Sequence, residues 1–373
     1  MTDKAKTFSI GAVFAVMGSF VAFAIGSGFS TGQEILQYFT SYGLQGILVA
    51  VAVFIADALI LVEFITTGKR EQFDRGGDIY TYYCGKYIGK FYDWFTALFV
   101  YMSFVVMVGG ASATFNQYFH APYAVGGILL CIAAGLTVIF GLKGVVNVIG
   151  KIGPCIILIV LIIAIPALFR GDSLESSLQT LDQALEEGTV LKASSTWWLA
   201  AYSYVGFGLL WYAPFLASLG KTLNSKKEAV WGQVLGAFVF MGTAVIVCMA
   251  LLLNLEDITG AQVPMLALAL KLSPTFSVIF AIIIMLAIYS SAVPLLWTAT
   301  APFVDDTTTK GKIIILVAAA VGCFIGLAVP FDRLINIIYV LNGYLGGLII
   351  IFVIVKFIRR TIANKNQNGE VVA

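Results

Sequence analysis

The chain has 373 residues, of which 60% are hydrophobic and only 11% are charged, with a formal net charge of +2. Soluble domains carry about 25% charged residues, so a mean hydropathy of +0.96 excludes an ordinary water-soluble fold. A charge so close to balance gives no basis for a nucleic-acid partner.

Apolar runs of about 20 residues, the length that crosses ~30 Å of hydrocarbon, recur along the whole chain. They fall at about 9–38, 43–66, 91–119, 123–141, 145–169, 196–219, 229–254, 275–301, 312–330 and 335–358. The first is too long for a cleaved leader, and no small-residue cleavage site precedes the second. The spacing therefore predicts an all-α membrane protein of ten transmembrane helices in one domain, with the lipid bilayer as its solvent. In that arrangement Lys69, Arg70, Arg75, Lys86, Lys90, Lys221, Lys226, Lys227, Lys356, Arg359 and Arg360 fall on one side. The other side holds Arg170, Lys192, Lys271 and Arg333 among acids such as Asp172, Glu175, Glu256 and Asp257. The positive-inside rule then predicts cytoplasmic termini in a bacterial plasma membrane, with 359–373 as a cytoplasmic tail.

Five scattered cysteines without a CxxC read as small packed hydrophobes rather than as a disulfide or metal set. His120 reads as an interfacial cap at the outer end of span 3.

Span 1 is interrupted at its centre by Ile25-Gly26-Ser27-Gly28-Phe29, and span 6 by Tyr204-Val205-Gly206-Phe207-Gly208. A spanning helix hides its peptide groups by bonding them internally, and an unsatisfied one in hydrocarbon costs several kcal/mol. Paired glycines at mid-depth weaken that ladder, and broken helices at matching positions of two halves point to a transporter's binding site. The long segment 170–195 splits the ten spans into halves 9–169 and 196–358. An odd number of spans per half inverts the second, and spans 1 and 6 open the two halves. Gly109-Gly110, Gly343 and Gly346-Gly347 read instead as packing glycines.

Ile25-Gly26-Ser27-Gly28-Phe29 resembles the "IGSGIF" signature in helix 1 of the amino acid–polyamine–organocation (APC) superfamily. Gly76-Gly77-Asp78-Ile79-Tyr80-Thr81-Tyr82, with Gly85, Gly89, Phe91 and Trp94, resembles the stretch that enters their helix 3. Tyr204-Val205-Gly206-Phe207 resembles "YxGF" in their helix 6, although Gly208 stands where an acid usually follows. The ten-span length is similar to that of the smaller YkvI-like amino-acid permeases. The resemblance implies a LeuT-type fold, a 5+5 inverted repeat with helices 1 and 6 broken. It also implies a cation-coupled symporter for an amino acid or related amine.

The outer half of span 1 directs free N–H groups at mid-membrane, where they favour an anion. Gly26, Ser27, Gly28 and Phe29 are the expected carboxylate site. Carbonyls at Ser203, Tyr204 and Val205, beside Gly206, are expected to hold the substrate's ammonium. Phe207 and Phe104 are the aromatic residues expected at the site. In span 8, Ser290 and Ser291 either back-bond within their helix or supply oxygens to a cation. The resemblance implies Na⁺ held by the Ala22, Ile25 and Ala287 carbonyls with the Ser290 and Ser291 hydroxyls, and no organic cofactor. Intramembrane acids are functional candidates. Asp57 is expected to bond loose backbone or to titrate, and Glu63 to snorkel, to pair with Lys69 or Arg70, or to serve a functional role of its own. Gln33 and Glu34 are expected to line an outer vestibule. Lys151, in Lys151-Ile152-Gly153-Pro154, resembles the helix 5 lysine of proton-coupled members and offers H⁺ as the alternative coupling ion.

An intramembrane enzyme is disfavoured. One histidine excludes HExxH, and Tyr92-Asp93 has no GxGD partner. A membrane sensor of the same fold that binds solute without moving it is the remaining rival.

Overall fold

The computed structural model describes residues 8–140, 146–301, 303, 304 and 308–370, and the side chains of all of these except 146–155 and 363–370. In chain order the helices are α1 (Ile10–Ala24), α2 (Ser27–Thr31), α3 (Gln33–Tyr38), α4 (Gln45–Glu71), α5 (Asp78–Phe119), α6 (Ala124–Phe140) and α7 (Val146–Leu168). There follow α8 (Leu174–Glu186), α9 (Trp197–Thr222), α10 (Lys226–Leu253), α11 (Leu255–Ile258), α12 (Pro264–Leu272), α13 (Pro274–Thr300), α14 (Thr309–Ala328) and α15 (Phe331–Glu370). No strand occurs among the described residues.

Among the described residues, seven helices are long and apolar enough to cross a bilayer: α4, α5, α9, α10, α13, α14 and α15. The described parts of α1, α6 and α7 are shorter apolar segments at the other expected positions. α1 falls short because its run is cut at Ile25–Gly26 and again at Gly32. The protein is an integral membrane protein, as the sequence predicts.

Several boundaries differ from expectation. α5 starts at Asp78 rather than near 91 and bends at Gly85 (φ 78°). α15 continues through the expected tail to Glu370. The 170–195 segment contains α8, which Ser173 caps by accepting the Ser176 N–H at 3.2 Å. At the start of α10, Glu228 accepts the amides of Ser225 (3.1 Å) and Ser9 (2.8 Å), which ties α1 to α10 and occupies both of its oxygens.

The packing has a regular pattern. α4 lies on α9 as α1 lies on α10, and α15 on α9 as α7 on α1. α5–α15 corresponds to α7–α13, α5–α6 to α13–α14, and α5–α14 to α6–α13. Each pair exchanges when a span is replaced by the one five places along. The α7–α10 contact lacks a counterpart of comparable extent. The shared core is rich in fully buried rings, among them Phe20, Phe29, Tyr38, Phe104, Phe240 and Tyr339.

Candidate functional site

α1 ends at Ala24, where Ile25 (φ −81°, ψ 106°) and Gly26 (φ −104°, ψ −171°) turn extended. The Ile25 N–H still reaches the Val21 carbonyl at 3.2 Å. The carbonyls of Ala22, Phe23, Ala24 and Ile25 accept no hydrogen bond from a described donor, and the amides of Ser27, Gly28 and Phe29 donate none. The expected interruption is therefore present, and it leaves unbonded peptide groups of both polarities side by side in the core.

Local sequence explains the break. Residues 26–32 read Gly-Ser-Gly-Phe-Ser-Thr-Gly, and glycine, serine and threonine are weak helix formers. Ser30 Oγ donates to the Gly26 and Ser27 carbonyls (3.0 and 3.2 Å), and Thr31 Oγ1 to that of Gly28 (3.1 Å). These bonds hold α2 as one short turn. Gly32 then takes a left-handed conformation (φ 81°), which a Cβ would strain, and α3 departs in a new direction.

That second bend positions Glu34. In an unbroken helix Glu34 would lie ~9 Å above Gly28 and on another face. Here its Oε2 comes within 2.7 Å of where a Gly28 Cβ would sit. Its Oε1 accepts the Tyr204 hydroxyl at 2.7 Å. Glu34 is 5% exposed and Gln33 3%, so neither lines an open vestibule as expected; Gly32 turns both inward. Ser27 Oγ and Gln33 Oε1 are buried without a hydrogen-bond partner.

The break expected in span 6 is absent. α9 runs uninterrupted from Trp197 to Thr222, so the carbonyls of Ser203, Tyr204 and Val205 stay within a helical ladder and hold no ammonium. The reason is packing. A Cβ on Gly206 would overlap the Gly343 carbonyl and the Gly347 amide, and one on Gly346 the Gly206 carbonyl. Gly206 serves a glycine seam between α9 and α15, the role expected of Gly343, Gly346 and Gly347.

Of the aromatic candidates, Tyr204 and Phe207 meet at the site. Their rings are 4.9 Å apart, and Phe207 stacks on Tyr339 at 4.9 Å. Tyr339 in turn approaches the Gly28 Cβ position at 3.4 Å. Tyr38 closes the group against Tyr204 at 5.1 Å. Tyr38 and Tyr339 escape a sequence reading because nothing marks them among the chain's 16 tyrosines. Phe29 stacks on Phe240 of α10 (4.7 Å), and Phe104 packs on Gly322 of α14. Both are core contacts, and neither ring is paired with the Tyr204–Phe207–Tyr339 cluster.

The expected cation ligands divide between two elements. Ala22 and Ile25 supply their free carbonyls. On α13, which packs against α2, Ser290 Oγ donates to the Ala287 carbonyl at 2.8 Å, so two of the five expected ligand atoms bond each other. Ser291 is half-buried. Asp57 in α4 is 3% exposed and, instead of bonding loose backbone, has no hydrogen-bond partner among the described residues. The Lys151 side chain lies outside the described residues. Glu63 pairs with neither Lys69 nor Arg70: Arg360 of α15 binds it with both nitrogens (2.7 and 3.1 Å), and Tyr83 adds a hydroxyl at 3.0 Å. Lys69 reaches the Leu223 carbonyl instead.

Polar contacts close both ends of the bundle around this level. At one end stands the Glu63–Arg360 pair. At the other, Gln37 donates to the Asp332 carbonyl (2.8 Å) and accepts from Asn336 (3.0 Å).

No known family profile matches the chain. It is 25% identical over 331 residues to YkvI, an uncharacterized membrane protein of Bacillus subtilis (strain 168), covering 87% of this chain and 90% of that one. It is 22% identical over 270 residues to YyaD of the same organism, covering 72% and 75%. Among solved structures it is similar to two substituted forms of a manganese transporter from Eremococcus coleocola, with TM-scores of 0.53 and 0.52. Identity there is 13% and 14%, over 95% of this chain and 80% of that one. The fold is thus shared with a membrane transporter.

Proposed function

We propose that the protein is a secondary transporter that moves a small polar solute, an amino acid or related amine, by alternating access. The observation that carries this reading is the interrupted first span. Free carbonyls at the end of α1 and free amides at the start of α2 adjoin the same break in the core, and such backbone in a membrane protein survives where it lines a binding cavity. The amides of Ser27, Gly28 and Phe29 hold the substrate's anionic group, with Tyr204 and Phe207 beside it. The packing pattern supports two five-helix repeats, 9–169 and 196–358, related by inversion in a LeuT-type arrangement. Only the first repeat keeps its opening helix broken. The likeness to YkvI supports a membrane protein, and the fold shared with the manganese transporter supports a transporter over a sensor or an enzyme.

The coupling ion in this reading is Na⁺, placed between the Ala22 and Ile25 carbonyls and the Ala287, Ser290 and Ser291 oxygens. Ser290 Oγ donates its proton to the Ala287 carbonyl and keeps its oxygen lone pairs for the ion, and that carbonyl has a second lone pair of its own. The manganese cargo of the structural neighbour is not carried over, since no group of three or more His, Cys, Asp or Glu side chains among the described residues could hold a metal ion.

Proteoliposomes test both parts. Uptake of an amino acid or amine driven by an inward Na⁺ gradient, and lost in Ser291→Ala, is expected. Uptake driven equally by a pH gradient without Na⁺, and lost in Lys151→Ala, would move coupling to the proton. Saturable binding without flux under any gradient would make the protein a sensor.

A further inference from the structure

The buried carboxylate of Glu34 goes beyond the substrate class stated above. A carboxylate removed from water is costly unless it is paired and hydrogen-bonded. Glu34 receives one donor, the Tyr204 hydroxyl on Oε1, while Oε2 receives none from the described residues and lies against Gly28. No lysine, arginine or histidine is among the described buried residues, so none of these supplies it a counter-charge. Of the other buried acids, Glu228 is used in the α10 cap, while Asp57 of α4 acts electrostatically on Tyr204 and Tyr212 and is a second acid near this level, without the Tyr204 hydrogen bond that Glu34 holds.

The surroundings select among cations. Tyr204, Phe207 and Tyr339 form a contiguous ring cluster next to the carboxylate, Phe207 lying edge-on to Tyr204 and stacked on Tyr339, and aromatic rings attract ammonium groups. Ser27 Oγ and Gln33 Oε1 add two buried oxygen atoms without partners at the same bend. A bare metal ion finds too few carboxylates here. A proton would satisfy Glu34 but leaves the aromatic wall and both free oxygens without a role.

We infer that Glu34 is the counter-charge for a primary ammonium group of the substrate, received at Oε2 beside Gly28 and the ring cluster of Tyr204, Phe207 and Tyr339. This rests on the transporter reading and takes over the role that the unbroken α9 cannot fill. A free amine and an amino acid share the chemistry. They differ in whether the α2 amides are also occupied, by a carboxylate that an amine lacks.

The test uses the full-length protein in lipid nanodiscs, titrated with the standard amino acids and with the amines formed by their decarboxylation. For each binder the matching alcohol, of the same shape but uncharged, is the control. Saturable binding of at least one ammonium compound is expected, with little binding of its alcohol. Glu34→Gln keeps the volume and the Tyr204 contact and should weaken the ammonium compound by roughly 10- to 100-fold, bringing it level with its alcohol. Tyr204→Phe, which removes only the hydroxyl, should weaken it by roughly 3- to 10-fold. Preference for amino acids over amines assigns the α2 amides to the carboxylate; the reverse preference leaves them outside the contact.

Wild-type protein that binds none of these compounds, or Glu34→Gln that binds them unchanged, would overturn the inference. So would a Glu34→Gln protein altered only in its response to pH, since the carboxylate would then serve a proton. Flux of the same compounds in proteoliposomes separates the two failures: unchanged uptake by Glu34→Gln sinks the pairing and keeps the transporter, whereas binding without flux sinks the transporter and keeps the pairing.

Discussion

Two glycine-bearing stretches, 22–32 and 202–209, look alike in sequence and fold differently. At the first, Gly26 has open space, with only the Met107 methyl 3.8 Å from a Cβ position, and the helix ladder stops. At the second, Gly206 is pressed against the α15 backbone and the helix continues. Glycine is used in both places for what it lacks, but the beneficiary differs. In α2 a run of weak helix formers releases the chain's own peptide groups. In α9 the missing side chain admits a neighbouring backbone, and the helix continues through 203–209. A membrane helix breaks where several residues in succession favour it and no partner backbone holds it straight.

Substitutions can break this comparison, in descending order of effect. Gly206→Val should cost about 3 kcal/mol or more, because α9 and α15 must part to admit the side chain. Loss of a monodisperse species on size exclusion would show it. Gly32→Ala should cost about 1–2 kcal/mol from its left-handed backbone, with Met265 also crowding the new methyl at 2.7 Å; thermal denaturation in detergent measures this. Ser30→Ala removes two hydroxyl contacts to α2 carbonyls and should lower stability by about 0.5–1.5 kcal/mol on the same assay. Gly26→Ala should change stability by less than about 0.5 kcal/mol, since its extended backbone accepts any residue and its surroundings are open. Equal losses at Gly26 and Gly206 would remove the distinction between a bend and a seam.

Much of this was legible in the sequence because it depends on local composition. Apolar run lengths located the helices, and the Gly-Ser-Gly-Phe-Ser-Thr-Gly stretch announced the first break. What depends on the neighbour was not legible. Gly206 carries the same residue type as Gly26, and only the arrival of Gly343 and Gly347 reveals its purpose. Glu34 reads as an outer-half residue at six positions beyond Gly28, and only the turn at Gly32 folds it back. Phe29 and Phe104 are fully buried at plausible depth, but depth does not tell which neighbour a buried ring packs against. Arg360 pairs with Glu63 across almost 300 residues of chain, beyond any local pattern.

The most direct test of the central claim is amide hydrogen exchange on the protein in nanodiscs, with and without the amino acid that binds most tightly in the titration. Amides at Ser27, Gly28 and Phe29 should exchange faster than those of 203–209 in the free protein and slow on binding, while 203–209 stay protected throughout. Equal protection of the two stretches in the free protein, or a ligand response confined to 203–209, would contradict the account.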